Sequence, residues 1–255
     1  MAVIDEKGRL FGVVNVIDAL VLLLLLAVIV AGVALVVGGE DEDPEPDPTA
    51  ETRYGTLAFT VPMESDVASI ERGETLSARS GEEELAVEDV YRSFSHNGSV
   101  HVVAKVSYNG SLTTGGAVRY GGDAVELRTE SYAFRADVLA VDEEEMTIPT
   151  RTERVVLLAN VSRATASGVD VGDTATIGDT EVATVTAIEE RSRSDDRTRL
   201  AVGVELTVWD REPVATYNGT PLRLGNRITI VTDRTLLSGE IGAIGTDDPA
   251  TIDDE

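Results

Sequence analysis

Cysteine is absent from the 255 residues of this chain. That excludes disulfides, thiol nucleophiles, zinc–thiolate sites and iron–sulfur clusters together. Any folded region must be held by its apolar core, which about two hundred residues can supply. Lysine is almost missing too, with only Lys7 and Lys105. Aromatic residues make up 4% of the chain, with a single tryptophan, so a core must be built mainly from Val, Leu, Ile and Ala. Positive charge is scarce: 21 basic residues face 46 acidic ones, a formal charge of −25. Such a surface repels phosphate backbones and anionic headgroups, which excludes nucleic-acid binding. It reads instead as a solvated, halophilic surface, where salt screens the self-repulsion.

The motifs of catalysis are missing as well. No Gly-x-Ser-x-Gly elbow and no Walker-type phosphate loop occurs. His96 and His101 flank the turn dipeptide Asn97-Gly98, but the spacing implies no third metal ligand, so both read as exposed hairpin residues. Carboxylate pairs carry little information in so acidic a chain. The runs Glu82–Glu84 and Asp142–Glu145 read as solvated loops, and the second lacks the alternating spacing of a calcium loop. The expectation is a non-enzyme, with no catalytic residue, no cofactor and no metal.

What the chain does have is one long apolar run. Ala19–Val37 is uncharged, and Val13–Ile17 extends it with Asp18 as the interruption. At 1.5 Å per residue the uncharged run makes about 28 Å of helix, close to the ~30 Å of a bilayer core. It exceeds a signal-peptide core, so residues 13–37 read as an uncleaved single-pass signal-anchor. Lys7 and Arg9 precede the run, and no basic residue follows it before Arg53. That bias places residues 1–12 in the cytoplasm and the remainder outside the cell membrane. Four of the six asparagines, Asn97, Asn109, Asn160 and Asn218, stand in Asn-x-Ser/Thr sequons, candidates for N-glycosylation on the outer side. Asp18 reads as a helix cap at the interface, or, with Asn15 on the same helical face, as a polar contact between helices.

Residues 38–53 switch to alternating acids and prolines, an extended semi-rigid linker on the order of 50 Å long at full stretch. From Tyr54 onward strand patterns dominate. Val102, Ala104, Val106 and Tyr108 alternate with less apolar neighbours, and Val202, Val204, Leu206 and Val208 repeat this one hundred residues later. Gly73-Glu74-Thr75 recurs as Gly172-Asp173-Thr174, and the Gly122 and Val138 segments recur around Gly225 and Ile241. The fold expected is one transmembrane helix plus two tandem, duplicated small β-barrels or sandwiches, 54–147 and 152–246, ending in an acidic tail, 247–255.

The string Asp5-x-x-Gly8-Arg9-Leu10-Phe11-Gly12-x-x-Asn15-x-x-Asp18 resembles the start of an uncharacterised membrane-protein family, labelled domain of unknown function 4330. The resemblance implies a transmembrane helix after this motif and a β-rich outer part. Gly172-Asp173 and the stretch from Gly225 to Ile244 look like the family's outer features. The first copy fits less tightly, with Gly73-Glu74 in place of Gly-Asp, and the duplication departs from the family's usual length. No activity comes with it. By residue chemistry, Leu10 and Phe11 suit the membrane interface while Arg9 reaches headgroups; a docking motif for a partner is the other reading. The function expected is a structural or adaptor component of the cell envelope with an envelope protein partner. The alternative is an extracytoplasmic module that binds a glycan or a cation.

Overall fold

A computed structural model of the chain describes Arg9–Leu10, Val14–Asn15 and residues 52–252, apart from 79–83, 110–111, 115–116, 119–120 and 195. The chain divides into two compact units, Met1–Ala50 and Glu51–Glu255. In the first unit β1 (Arg9–Leu10) pairs antiparallel with β2 (Val14–Asn15), Arg9 opposite Asn15 and Leu10 opposite Val14. Val14 and Asn15, which the anchor reading places at the start of its helix and just before its core, are therefore extended. The rest of the expected helix, Val13 and 16–37 with Asp18 among them, and most of the 38–53 linker lie outside the described residues. Among the described residues no helix is long and apolar enough to cross a membrane.

The second unit is mainly β, as its period-two patterns demand. Its first half comprises β3 (Thr52–Val61), β4 (Thr75–Ala78), β5 (Glu84–Phe94), β6 (Val100–Asn109), the short hairpin β7 (Thr113–Thr114) and β8 (Ala117–Val118), β9 (Ala124–Arg128) and β10 (Ala133–Glu143). Six of these close into a barrel in the ring order β10-β3-β6-β5-β4-β9. The second half comprises β11 (Thr150–Ser162), the five-residue helix α1 (Arg163–Ser167), β12 (Thr174–Ile177), β13 (Thr180–Arg193), β14 (Arg197–Trp209), β15 (Thr216–Tyr217), β16 (Thr220–Pro221), β17 (Arg227–Val231) and β18 (Leu236–Ile244). The main path runs β12-β13-β14-β11-β18-β17, the same strand sequence as the barrel. The barrel closes through β4 on β9, Ser77 opposite Arg128 and Ala78 opposite Leu127. The matching edges β12 and β17 lie near each other, but no ladder joins them, and this sheet stays open.

The glycine-anchored matches superpose bond for bond. The Gly73 N–H donates to Val87 O at 2.8 Å, and the Gly172 N–H to Val185 O at 2.8 Å. Gly122 on Val138 and Gly225 on Ile241 repeat the pattern at 2.7 and 2.8 Å. All four glycines have φ between 80° and 94°, where a side chain is strained. These turns fix the register. Val87 faces Val106 and Val185 faces Val204, so Val106 corresponds to Val204, not to Leu206. The one-hundred-residue match of the two apolar strings was two residues out of step, because strings of period two resemble themselves at every second position.

Strand β6 is buried on both faces rather than one. Val102, Ala104 and Val106 point into the barrel, while Val103 joins Ala58, Tyr91 and Ile148 in a second cluster, with Leu139 and Trp209 packed against it. Trp209 comes from the second half, so the two halves share a packed contact. Polar bonds reinforce it. The Tyr217 hydroxyl accepts from Phe94 N–H at 3.4 Å and donates to Thr229 O at 3.2 Å. The Asn218 N–H donates to Ser93 Oγ at 3.0 Å. Burial pushes the phenol pKa of both Tyr91 and Tyr217 far up, so both stay protonated donors.

The described part of the acidic tail, residues 247–252, is docked on the second sheet. Asp248 Oδ1 accepts from Ala250 N–H at 3.0 Å, Pro249 is buried, and Arg191 donates to Pro249 O. This chain crosses β14 at Gly203, where an added Cβ would stand 2.0 Å from Asp247 O. Only glycine admits a backbone that close.

Candidate functional site

The correspondence between the halves isolates one position. Because Val106 matches Val204, Lys105 of β6 matches Gly203 of β14. Where the second half admits its own backbone, the first half buries a charged side chain. Lys105 Nζ donates to Glu143 Oε2 at 2.7 Å and to Thr56 Oγ1 at 3.0 Å. The lysine side chain is 5% exposed and the glutamate 32%. The Thr56 hydroxyl donates in turn to Glu143 Oε2 at 2.5 Å. Thr56 and Lys105 are ladder partners on β3 and β6, so the sheet register itself brings them together.

This trio lines a cleft of about 270 Å³ at the junction of the two halves. Its apolar lining comes from Leu139, Ile148 and Trp209, and its charged lining includes Asp210, Arg211 and Glu212, which follow β14. The Arg211 guanidinium lies 5.1 Å from the centre of the Trp209 ring. Arg151 holds Asp210 at 2.8 Å and Glu153 at 3.1 Å, bracing the rim. Asp89, opposite Lys105 on β5, accepts from Ile148 N–H at 2.7 Å and so fixes the connector that lines the cleft. An aromatic face beside fixed donors and acceptors suits a ligand with apolar and polar sides.

The acidic run Asp142–Glu145 is not simply a solvated loop. Asp142 and Glu143 end β10, and Asp142 accepts from Arg53 at 3.0 Å and from the Tyr108 hydroxyl at 3.2 Å. Glu84 opens β5, while Glu82 and Glu83 lie outside the described residues. The two histidines separate. His96 is exposed in the turn after β5, whereas His101 is partly covered on β6, its Nδ1 3.3 Å from Thr60 Oγ1. Burial holds the His101 pKa below the usual imidazole range, against the raising effect of Asp137. Among the described residues no group of three His, Cys, Asp or Glu side chains is placed to hold a metal.

The sequon asparagines are dispersed. Asn97 is exposed and its Oδ1 accepts from Ser99 N–H at 3.2 Å; Asn109 is exposed at the end of β6. Asn160 is exposed on β11 and accepts from Arg197 Nε at 2.9 Å. Asn218, with φ of 53°, is half-buried against Ser93. Of the N-terminal motif, Arg9, Leu10 and Asn15 fall in the β1–β2 pair, and Gly8, Phe11, Gly12 and Asp18 lie outside the described residues. Sequence reasoning passed over the cleft. Its available signals were a lysine within the apolar string Val102–Val106 of a lysine-poor chain, and the lone Trp209.

Over residues 1–113 the chain matches the family model described as domain of unknown function, DUF4330. The resemblance drawn from the N-terminal string is thereby shown. Its distribution differs from the one expected, for the match takes in the start of the chain and the first half's strands through β6, and ends before Gly172 and Gly225. No curated protein and no solved structure gives a match.

Proposed function

We propose that this chain, whose residues 1–113 carry the DUF4330 domain, is a non-catalytic adaptor of the cell envelope. In this reading the uncharged run Ala19–Val37 spans the cell membrane once, the N-terminus is cytoplasmic, and two duplicated β-modules form an extracytoplasmic head. The observation that carries it is the junctional cleft. It exists where the two halves depart from each other, at Lys105 against Gly203, so the shared fold does not require it. Lys105 is held by an ion pair to Glu143 and a hydrogen bond to Thr56, which favours a positioned charge over a nucleophile. The occupant is a partner segment that lays an apolar face on Trp209. A glycan is the second reading, favoured by the same ring beside fixed polar groups.

The test is a photo-crosslinking residue placed at Arg211 in intact cells, with adducts recovered after detergent extraction. The expected result is a specific envelope-protein adduct that disappears when Trp209→Ala is added. A saccharide adduct would select the second reading, and no adduct from this position would overturn the cleft as the binding site.

A further inference from the structure

The outer face of the second sheet carries a different cavity, about 410 Å³, lined by Arg197, Arg199, Arg227, Asn160, Ser238 and Glu240, with Leu158 also in the lining. Ladder register places these side chains on one face. Asn160 pairs with Arg199, Leu158 with Glu240, and Glu240 with Arg227. Three guanidinium groups thus meet one carboxylate in a chain whose formal charge is −25.

Two of the arginines are engaged. Arg227 pairs with Glu240 at 2.8 Å, and Arg197 donates to Asn160 Oδ1 at 2.9 Å and to Asn160 O. The Arg199 side chain makes no hydrogen bond or ion pair among the described residues. Its guanidinium is exposed and held in place only by its strand.

The fold does not demand this arrangement. The glycine turns equate Asn160 with Thr60, Arg199 with His101, Glu240 with Asp137 and Arg227 with Ala124. In the first half His101 lies under the Gly219 turn of the second half, where a Cβ on Gly219 would stand 3.2 Å from His101 Nε2. One copy of the face is therefore used for internal contact. The other copy is open and carries arginines.

We propose that this open face binds an acidic saccharide unit through its carboxylate group. Planar guanidinium forks match such oxyanions, and Arg199 is the group available for a two-bond grip. The volume is that of a small-molecule site rather than of a single ion. The Asn160 amide N–H groups and the Ser238 hydroxyl supply neutral hydrogen bonds for ring hydroxyls, and Leu158 supplies an apolar lining.

The test is calorimetric titration of the full-length protein in detergent with galacturonate, trigalacturonate, galactose and sodium sulfate. The expected result is saturable binding of an acidic sugar, at least tenfold tighter than of galactose or sulfate. Arg199→Gln should weaken it at least tenfold while leaving the melting temperature unchanged, because this side chain holds nothing in the fold. Tighter binding of the trisaccharide assigns the source to a polymer, and equal binding to a free sugar acid; both support the site. Sulfate binding as tightly as the sugar, binding unaffected by Arg199→Gln, or no binding at all would each overturn it.

Discussion

At the scale of single residues, the buried Lys105–Glu143 pair gives an asymmetric expectation. Glu143→Ala leaves an almost fully buried ammonium with Thr56 as its remaining partner, whereas Lys105→Met leaves a carboxylate that water already reaches. The first should cost about 1–3 kcal/mol and the second within about 1 kcal/mol, since an unpaired buried charge is worse than a lost pair. Urea unfolding of both variants in detergent checks the order. His101 gives a pH dependence. Its folded pKa is depressed by burial, so the unfolded chain binds the proton more readily. The stability is fully present above the ordinary imidazole pKa and is lost as pH falls through that value towards the folded one. His101→Gln should flatten this part of the melting-temperature profile. A variant that tracks the wild type across the same window would show that His101 is not desolvated.

At the scale of elements, the glycine turns were legible and the ladders were not. Gly73, Gly122, Gly172 and Gly225 could be paired from sequence because a positive φ leaves glycine as the natural choice, so the letters carry the geometry. The apolar strings of β6 and β14 could not be aligned, because alternation alone has no origin. Without the true register, Lys105 and Gly203 are not equivalent, and the cleft stays hidden. The docked segment before Ile252 was missed for a related reason. Its contact is made by Gly203, a residue whose signal is what it lacks. Gly203→Ala should therefore dislodge residues 245–252 rather than break the sheet, at a cost of about 1–3 kcal/mol for the overpacked site. Hydrogen exchange reads this directly: the amides of 245–252 should exchange faster while those of β11 keep their protection.

At the scale of the molecule, the two halves behave as one head. The apolar cluster is continuous across them, and Tyr217 ties β5 to β17 through its hydroxyl. Calorimetry of the wild type should show the head unfolding in a single transition. Tyr217→Phe should lower its stability by about 1–3 kcal/mol, because Phe94 N–H and Thr229 O lose a common buried partner. Two separate wild-type transitions would mean that the junction, and the cleft within it, is not a fixed surface.

The claim on which the adaptor reading depends is that this head faces outward. Its most direct test is protease treatment of intact cells carrying an epitope tag after Glu255. The account predicts that the tag is removed from outside while a cytoplasmic control protein survives. A tag that persists until the cells are lysed would contradict it, placing the cleft and the arginine face on the cytoplasmic side.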